Sequence, residues 1–256
     1  MREFLKYIFN SEIIIFFRSL SGFRDPIFNL HNPTSFLVSD LFFWRTDESF
    51  STVFNASDIL SKYFGEDSSL LMIFFNSEGC EIFRKIYKFD GDMISVTINK
   101  ALIGYEGIGT FVALNIPERE IGEGIKITNR CYVGYGKDEA YSMMHGNMLA
   151  LKAKLPINRN GPTNLKSAVS SRRGKYVYYL QRPNLRSLTM SLVFVNPLGR
   201  NISIKINSDL HTLKKGSCCI IDVNSSSTVV KIESDFIWSR PIIFSRKGDF
   251  IDVHHG

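Results

Sequence analysis

The sequence predicts an all-β protein made of two tandem, internally related β-sandwich or jelly-roll-like units. Three observations predict it. The chain of 256 residues carries 21 Phe and 10 Tyr among abundant Ile, Val, Ser and Thr, the residue types that fit a pleated, half-buried surface. Short apolar runs recur at roughly ten-residue spacing with Gly, Asn and Pro between them, as in strands joined by turns. Landmarks in the first half also return in the second in the same order, which marks a repeat with a period of about one domain.

The repeat is most explicit in the pattern N-x-x-G-x-x-I-x-x-K-I, which residues 76–86 and 196–206 match without a gap. Each copy follows an apolar run, at 70–75 and 192–195. Both therefore read as one hairpin used twice, Gly79 and Gly199 giving the turn its positive φ. Gly91 opens the run 93–98 as Gly216 opens 218–223, and 110–114 corresponds to 228–232. Arg130 precedes His145 by fifteen residues and Arg240 precedes His254 by fourteen, each His closing an alternating strand.

These landmarks divide the chain into a strap or extra strand at 1–34, a first unit at 35–150, a linker at 151–164 and a second unit at 165–256. The linker carries Pro156, Asn158, Asn160, Gly161 and Pro162, the composition of a boundary. Residues 148–154 favour helix by composition and predict one short helix there. Exposed sheet edges invite pairing with other chains; packing the halves about a pseudo-twofold axis would cover them.

Apolar residues at 44% and charged residues at 22% are ordinary globular values. The run 13–17 follows Asn10, Ser11 and Glu12 and falls well short of the roughly twenty residues of a membrane span. It has no small-residue cleavage pattern after it, so a buried segment is expected and not a signal peptide. Cys80, Cys131, Cys218 and Cys219 form no C-x-x-C pair, which argues against a disulfide frame or zinc site and for a reducing compartment such as the cytoplasm. The formal charge of +6 draws anions, although it is spread along the chain.

The sharpest candidate site is the twice-occurring pair, Arg130 with His145 and Arg240 with His254. Arg offers a planar fork of donors and His a titratable one, so together they suit an anionic group. His145 and His254 are the candidate acids or bases, and Asp252 is two residues from His254, hence on the same face of a strand. Tyr132, Tyr135, Tyr176 and Tyr178 are candidate stacking or ligand-binding rings, the last two beside the basic residues 172–175. No metal is expected, since adjacent His254 and His255 diverge on a strand and no H-x-H or H-E-x-x-H occurs. No cofactor is expected either, because Gly104, Gly107 and Gly109 fit a turn before a strand and no nucleotide-binding glycine motif is present.

These features favour a module binding a carbohydrate or another anionic small molecule or polymer. An enzyme acting on a sugar or phosphate-bearing substrate through a His, and a structural or assembly protein, are the alternatives. Nucleic acid is a less favoured partner and no membrane span is expected.

Overall fold

In a computed structural model of the chain, the described residues are 14, 17, 35–118, 131–137, 140–146, 150–154, 165–167, 173–181, 188–223, 228–237 and 239–256. The strap at 1–34 lies outside them apart from two positions, as do Arg130 and linker residues 155–164. The protein is nearly all β. Its first half comprises β1 (Ser35–Asp40), β2 (Phe42–Arg45), β3 (Ser51–Ser57), α1 (Ile59–Phe64), β4 (Ser68–Asn76), β5 (Glu81–Lys88), β6 (Met93–Ile98), α2 (Lys100–Ile103), β7 (Ile108–Pro117), β8 (Cys131–Lys137) and β9 (Ala140–His145). Then come β10 (Ala150–Lys154) and β11 (Leu165–Ser167). The second half is β12 (Tyr176–Gln181), β13 (Thr189–Val195), β14 (Ile202–Ile206), β15 (Asp209–Leu213), β16 (Cys218–Asp222), β17 (Val229–Ser234), β18 (Ile242–Lys247) and β19 (Phe250–His255).

The first half makes two antiparallel sheets of order β2-β7-β4-β5 and β6-β3-β8-β9; the second makes β12-β17-β14-β15 and β16-β13-β18-β19. Adding ten to every label converts one pair of sheets into the other. Three repeated landmarks of the sequence fall on equivalent strands: β6 with β16, β7 with β17, and β8–β9 with β18–β19.

The repeated hairpin does not hold. Residues 76–79 do close a hairpin, with Asn76 N–H donating to the Cys80 carbonyl (2.9 Å) and Gly79 at φ 80°. Residues 196–201 instead carry the chain from β13 in one sheet to β14 in the other. Pro197 lacks the N–H that a ladder would use. The buried Asn196 side chain holds this crossover, donating to the carbonyls of Arg200 (2.8 Å) and Lys214 (2.8 Å) and accepting from Leu198 N–H (3.0 Å). The true counterpart of β4–β5 is β14–β15, closed by Asn207 at φ 54°, a residue type that tolerates that region.

The helix expected at 148–154 is also corrected, since Ala150–Lys154 is strand β10, paired on one side with β1 and on the other with β11. So short a run cannot hold a helix alone, and two waiting ladder partners override its propensity.

Aromatic rings fill the first sandwich. Phe42 of one sheet meets Phe54 of the other edge-on at 5.3 Å, and Phe111 meets Phe54 at 5.1 Å and Phe42 at 5.2 Å. Each such buried ring contributes about 1.5–3 kcal/mol of burial, and edge-to-face packing adds to it. Trp44 donates its Nε1–H to the carbonyls of Phe75 and Thr110, both at 3.0 Å. Its ring lies where a side chain at Gly109 would stand, a Cβ there coming within 2.6 Å of the indole and 2.0 Å of the Phe75 carbonyl oxygen.

The buried residues of the two halves form one continuous cluster. Phe244 of β18 joins them, packing on Tyr135 (5.1 Å), Phe43 (6.1 Å) and Phe50 (6.2 Å). Buried Arg45 lies 3.8 Å above the Phe50 ring and grips Asp47 with two hydrogen bonds of 2.8 and 3.0 Å. The equivalent edge strands β9 and β19 also meet, Ser142 Oγ accepting from Val253 N–H (2.9 Å) and donating to its carbonyl (3.3 Å). No described helix is long and apolar enough to cross a membrane.

Candidate functional site

The meeting of β9 and β19 places the ends of both strands together. Strand parity decides which side chains face the seam. On β19 the residues Ile251, Val253 and His255 share one face, with Val253 buried, while Phe250, Asp252 and His254 are exposed on the other. His255, and not His254, therefore lies against the first half.

The His145 and His255 rings stand 5.0 Å apart and 34° from parallel. His255 donates its Nε2–H to the His145 carbonyl (3.0 Å), and His145 donates from Nδ1 to the Gly146 carbonyl (3.2 Å). Those bonds fix both tautomers, leaving His255 Nδ1 and His145 Nε2 as acceptors in the neutral rings. Arg240 donates its Nε–H to the Gly256 carbonyl (2.7 Å), one residue beyond His255. Burial holds the His255 pKa below its ordinary value; His145, Arg240 and His254 press it the same way, and its bond to the His145 carbonyl opposes them. Asp40 closes one side of the group, its carboxylate standing within 1.9 Å of where a Cβ on Gly146 would be. Opposite His145 in the ladder is Tyr132, 53% exposed.

The nominated residues thus part company. His145 stands against His255, with Tyr132 its ladder partner and Arg240 bonded to the residue that follows His255. His254 turns away and pairs through Nδ1 with Asp252 Oδ2 at 3.2 Å, both exposed. Tyr135 is corrected as a ligand-binding residue: it is fully buried, its hydroxyl donates to the Phe43 carbonyl (3.0 Å), and burial pushes its pKa up. Tyr176 and Tyr178 share a half-buried face of β12, and the Tyr178 hydroxyl is tied to the Ile237 carbonyl. Tyr179, which was not nominated, is the exposed ring of that strand.

His255 was missed although the signal for it is in the sequence. Alternation with Ile251 and Val253 sets it on the apolar face of β19, and the ladders agree: His145 stands opposite Tyr132 as His255 stands opposite Ile242, so the counterpart of His145 is His255 and not His254. Among the described residues no three His, Cys, Asp or Glu side chains converge as a metal set.

No family model matches the chain, and no curated protein matches it. Among solved structures a Streptomyces avermitilis alpha-L-rhamnosidase complexed with L-rhamnose is similar at 9% identity and a TM-score of 0.25. The match covers 88% of this chain and 26% of that one, so the chain spans about a quarter of the rhamnosidase's length. A likeness of that strength carries no argument about fold or function.

Proposed function

We propose that the protein is a binding module whose seam site, formed by His145, His255 and Arg240, takes an anionic ligand, with an acidic carbohydrate as the favoured class. The observation that supports this reading most is the convergence of two imidazoles and a guanidinium from both halves at the strand ends. His255 takes up a proton only against its burial and the neighbouring His145, Arg240 and His254. A bound carboxylate or phosphate adds negative charge on the Arg240 side of the group, where the guanidinium offers it donors. Exposed Tyr132 gives a sugar ring a flat face to stack on. The formal charge of +6 favours approach of a polyanion.

The test is a thermal-shift comparison with oligoglucuronate, inorganic phosphate and neutral maltohexaose. Oligoglucuronate at a hundred times its dissociation constant stabilises the protein by about 2.7 kcal/mol. The shift is expected to disappear in Arg240→Ala and His145→Ala and to grow between pH 7.5 and pH 6. No shift with either anion, or one that survives both substitutions, refutes the proposal.

The His254–Asp252 pair favours a second reading, an enzyme in which Asp252 orients His254 as acid or base. In that case His254→Ala abolishes turnover of a sugar or phosphate ester without weakening oligoglucuronate binding. The first reading ranks higher because this pair stands on an open, exposed face.

A further inference from the structure

On the other side of the second half, a groove of about 630 Å³ runs between β15 and β16, within the range of roughly 300–1,000 Å³ typical of ligand sites. Both strands are the outermost members of their sheets. Their backbone parity can be read from the ladders. Ser217 O accepts from Asn196 N–H and Val223 N–H donates to Met190 O, so 217, 219, 221 and 223 face β13. Cys218 N–H points outward, where it donates to the Ser77 carbonyl (3.1 Å). The amides and carbonyls of Ile220 and Asp222 consequently point into the groove. By the same reasoning Asn207 N–H donates to Lys231 O and Ser203 O accepts from Asp235 N–H, so 209, 211 and 213 face β14. Leu210 and Thr212 then present their backbone outward from β15.

The first half has already begun to use this edge. Its β4–β5 turn sits at one end of the groove through the Ser77–Cys218 hydrogen bond and a Lys214–Glu78 ion pair of 2.7 Å. A Cβ on Gly79 would stand 2.9 Å from Lys215 O and Gly216 C, so backbone meets backbone there. That contact stops after one hydrogen bond, and the rest of β16, four residues or about 13 Å of strand, carries outward polar groups with no partner among the described residues. Apolar Leu213, Ile220 and Ile221 line the groove, and Asp222 stands exposed at its far end, accepting from Ser191 Oγ (2.6 Å).

We propose that this groove takes an extended peptide segment of a partner protein, which adds as a strand to the outer edge of β16 and continues the pairing that Ser77 begins. Main-chain hydrogen bonds supply affinity and alternate side chains supply selectivity. The walls call for apolar residues at alternate positions and a Lys or Arg near Asp222. The site is separate from the seam histidines, so its failure leaves the anion reading untouched.

The test uses an array of seven-residue peptides with Val or Ile at odd positions and Lys, Ser or Glu at even ones, each paired with a counterpart carrying a central Pro. Retention is expected for Lys-bearing peptides above Glu-bearing ones, and not for the Pro counterparts. Ile220→Pro removes an outward N–H while leaving the residues facing β13 in place, and retention is expected to fall at least tenfold with the melting midpoint kept. Should Ile220→Pro disturb folding, amide exchange on the unaltered protein decides: adding a retained peptide slows exchange at Ile220 and Asp222 and leaves Cys219 and Ile221 unchanged. The proposal is overturned if no alternating peptide exceeds its Pro counterpart, or if a retained peptide leaves Ile220 and Asp222 unprotected. It is equally overturned if sedimentation shows a dimer and those amides slow with protein concentration alone, since a second copy then occupies the edge.

Discussion

Protonating His255 is harder in the folded chain than in the unfolded one, because its ring is half-buried beside His145, Arg240 and His254. Above the ordinary histidine pKa of about 6.5 both states are neutral and nothing is lost. As pH falls below that value the unfolded chain binds the proton first, so stability declines until the folded ring is protonated too. Thermal melts from pH 7.5 to 5 are expected to show this acid-side loss in the unaltered protein and a flatter profile in His255→Gln. Equal slopes in the two would remove His255 from the account. Gly109 is the other residue with a sharp prediction. Its missing Cβ makes room for the Trp44 indole and the Phe75 carbonyl, so Gly109→Ala is expected to cost about 2–3 kcal/mol through overpacking, read as a lowered denaturation midpoint. Residue chemistry was legible unevenly. The repeated spacing singles out Arg240 and His145 but pairs His145 with His254 in place of its ladder equivalent His255, and Tyr135 was misplaced because its sequence neighbours do not reveal that odd positions of β8 face the core.

At the scale of elements, β9 and β19 meet through a side chain in place of a full ladder. Ser142 Oγ serves both the N–H and the carbonyl of buried Val253. Ser142→Ala leaves both groups unserved and is expected to cost about 1–3 kcal/mol, with faster amide exchange at Val253 as its local signature. Strand content and most of the repeat were readable because period-2 alternation and turn residues are local. The order of β6, β7, β8 and β9 against β16, β17, β18 and β19 follows directly from landmarks in the sequence. The hairpin error has a physical source. An apolar run, a turn-forming Asn and a second alternating run look alike whether the chain folds back within a sheet or crosses to the facing one. Pro197 after Asn196, with no Pro at the matching position after Asn76, was the available clue. The helix expected at 148–154 failed for a different reason, since the ladder partners that make β10 a strand lie far away in sequence.

At the scale of the molecule, Phe244 ties two sandwiches into one buried cluster. Phe244→Ala is expected to cost about 3–5 kcal/mol and to split a single calorimetric transition into two as the halves unfold separately. A single sharp transition at an unchanged midpoint would show that the seam does not couple them. The seam could not be derived from the sequence, because both faces of β2 and the inner face of β18 look apolar whichever partner they meet. The site depends on it, since His145 belongs to one half and His255 and Arg240 to the other. The most direct test follows the imidazole signals of all five histidines by NMR during titration with oligoglucuronate. The seam reading predicts that the His145 and His255 signals shift together on binding and that the His211 signal stays in place. Signals that do not move, or shifts confined to His254 or His211, would contradict an anion site at the seam.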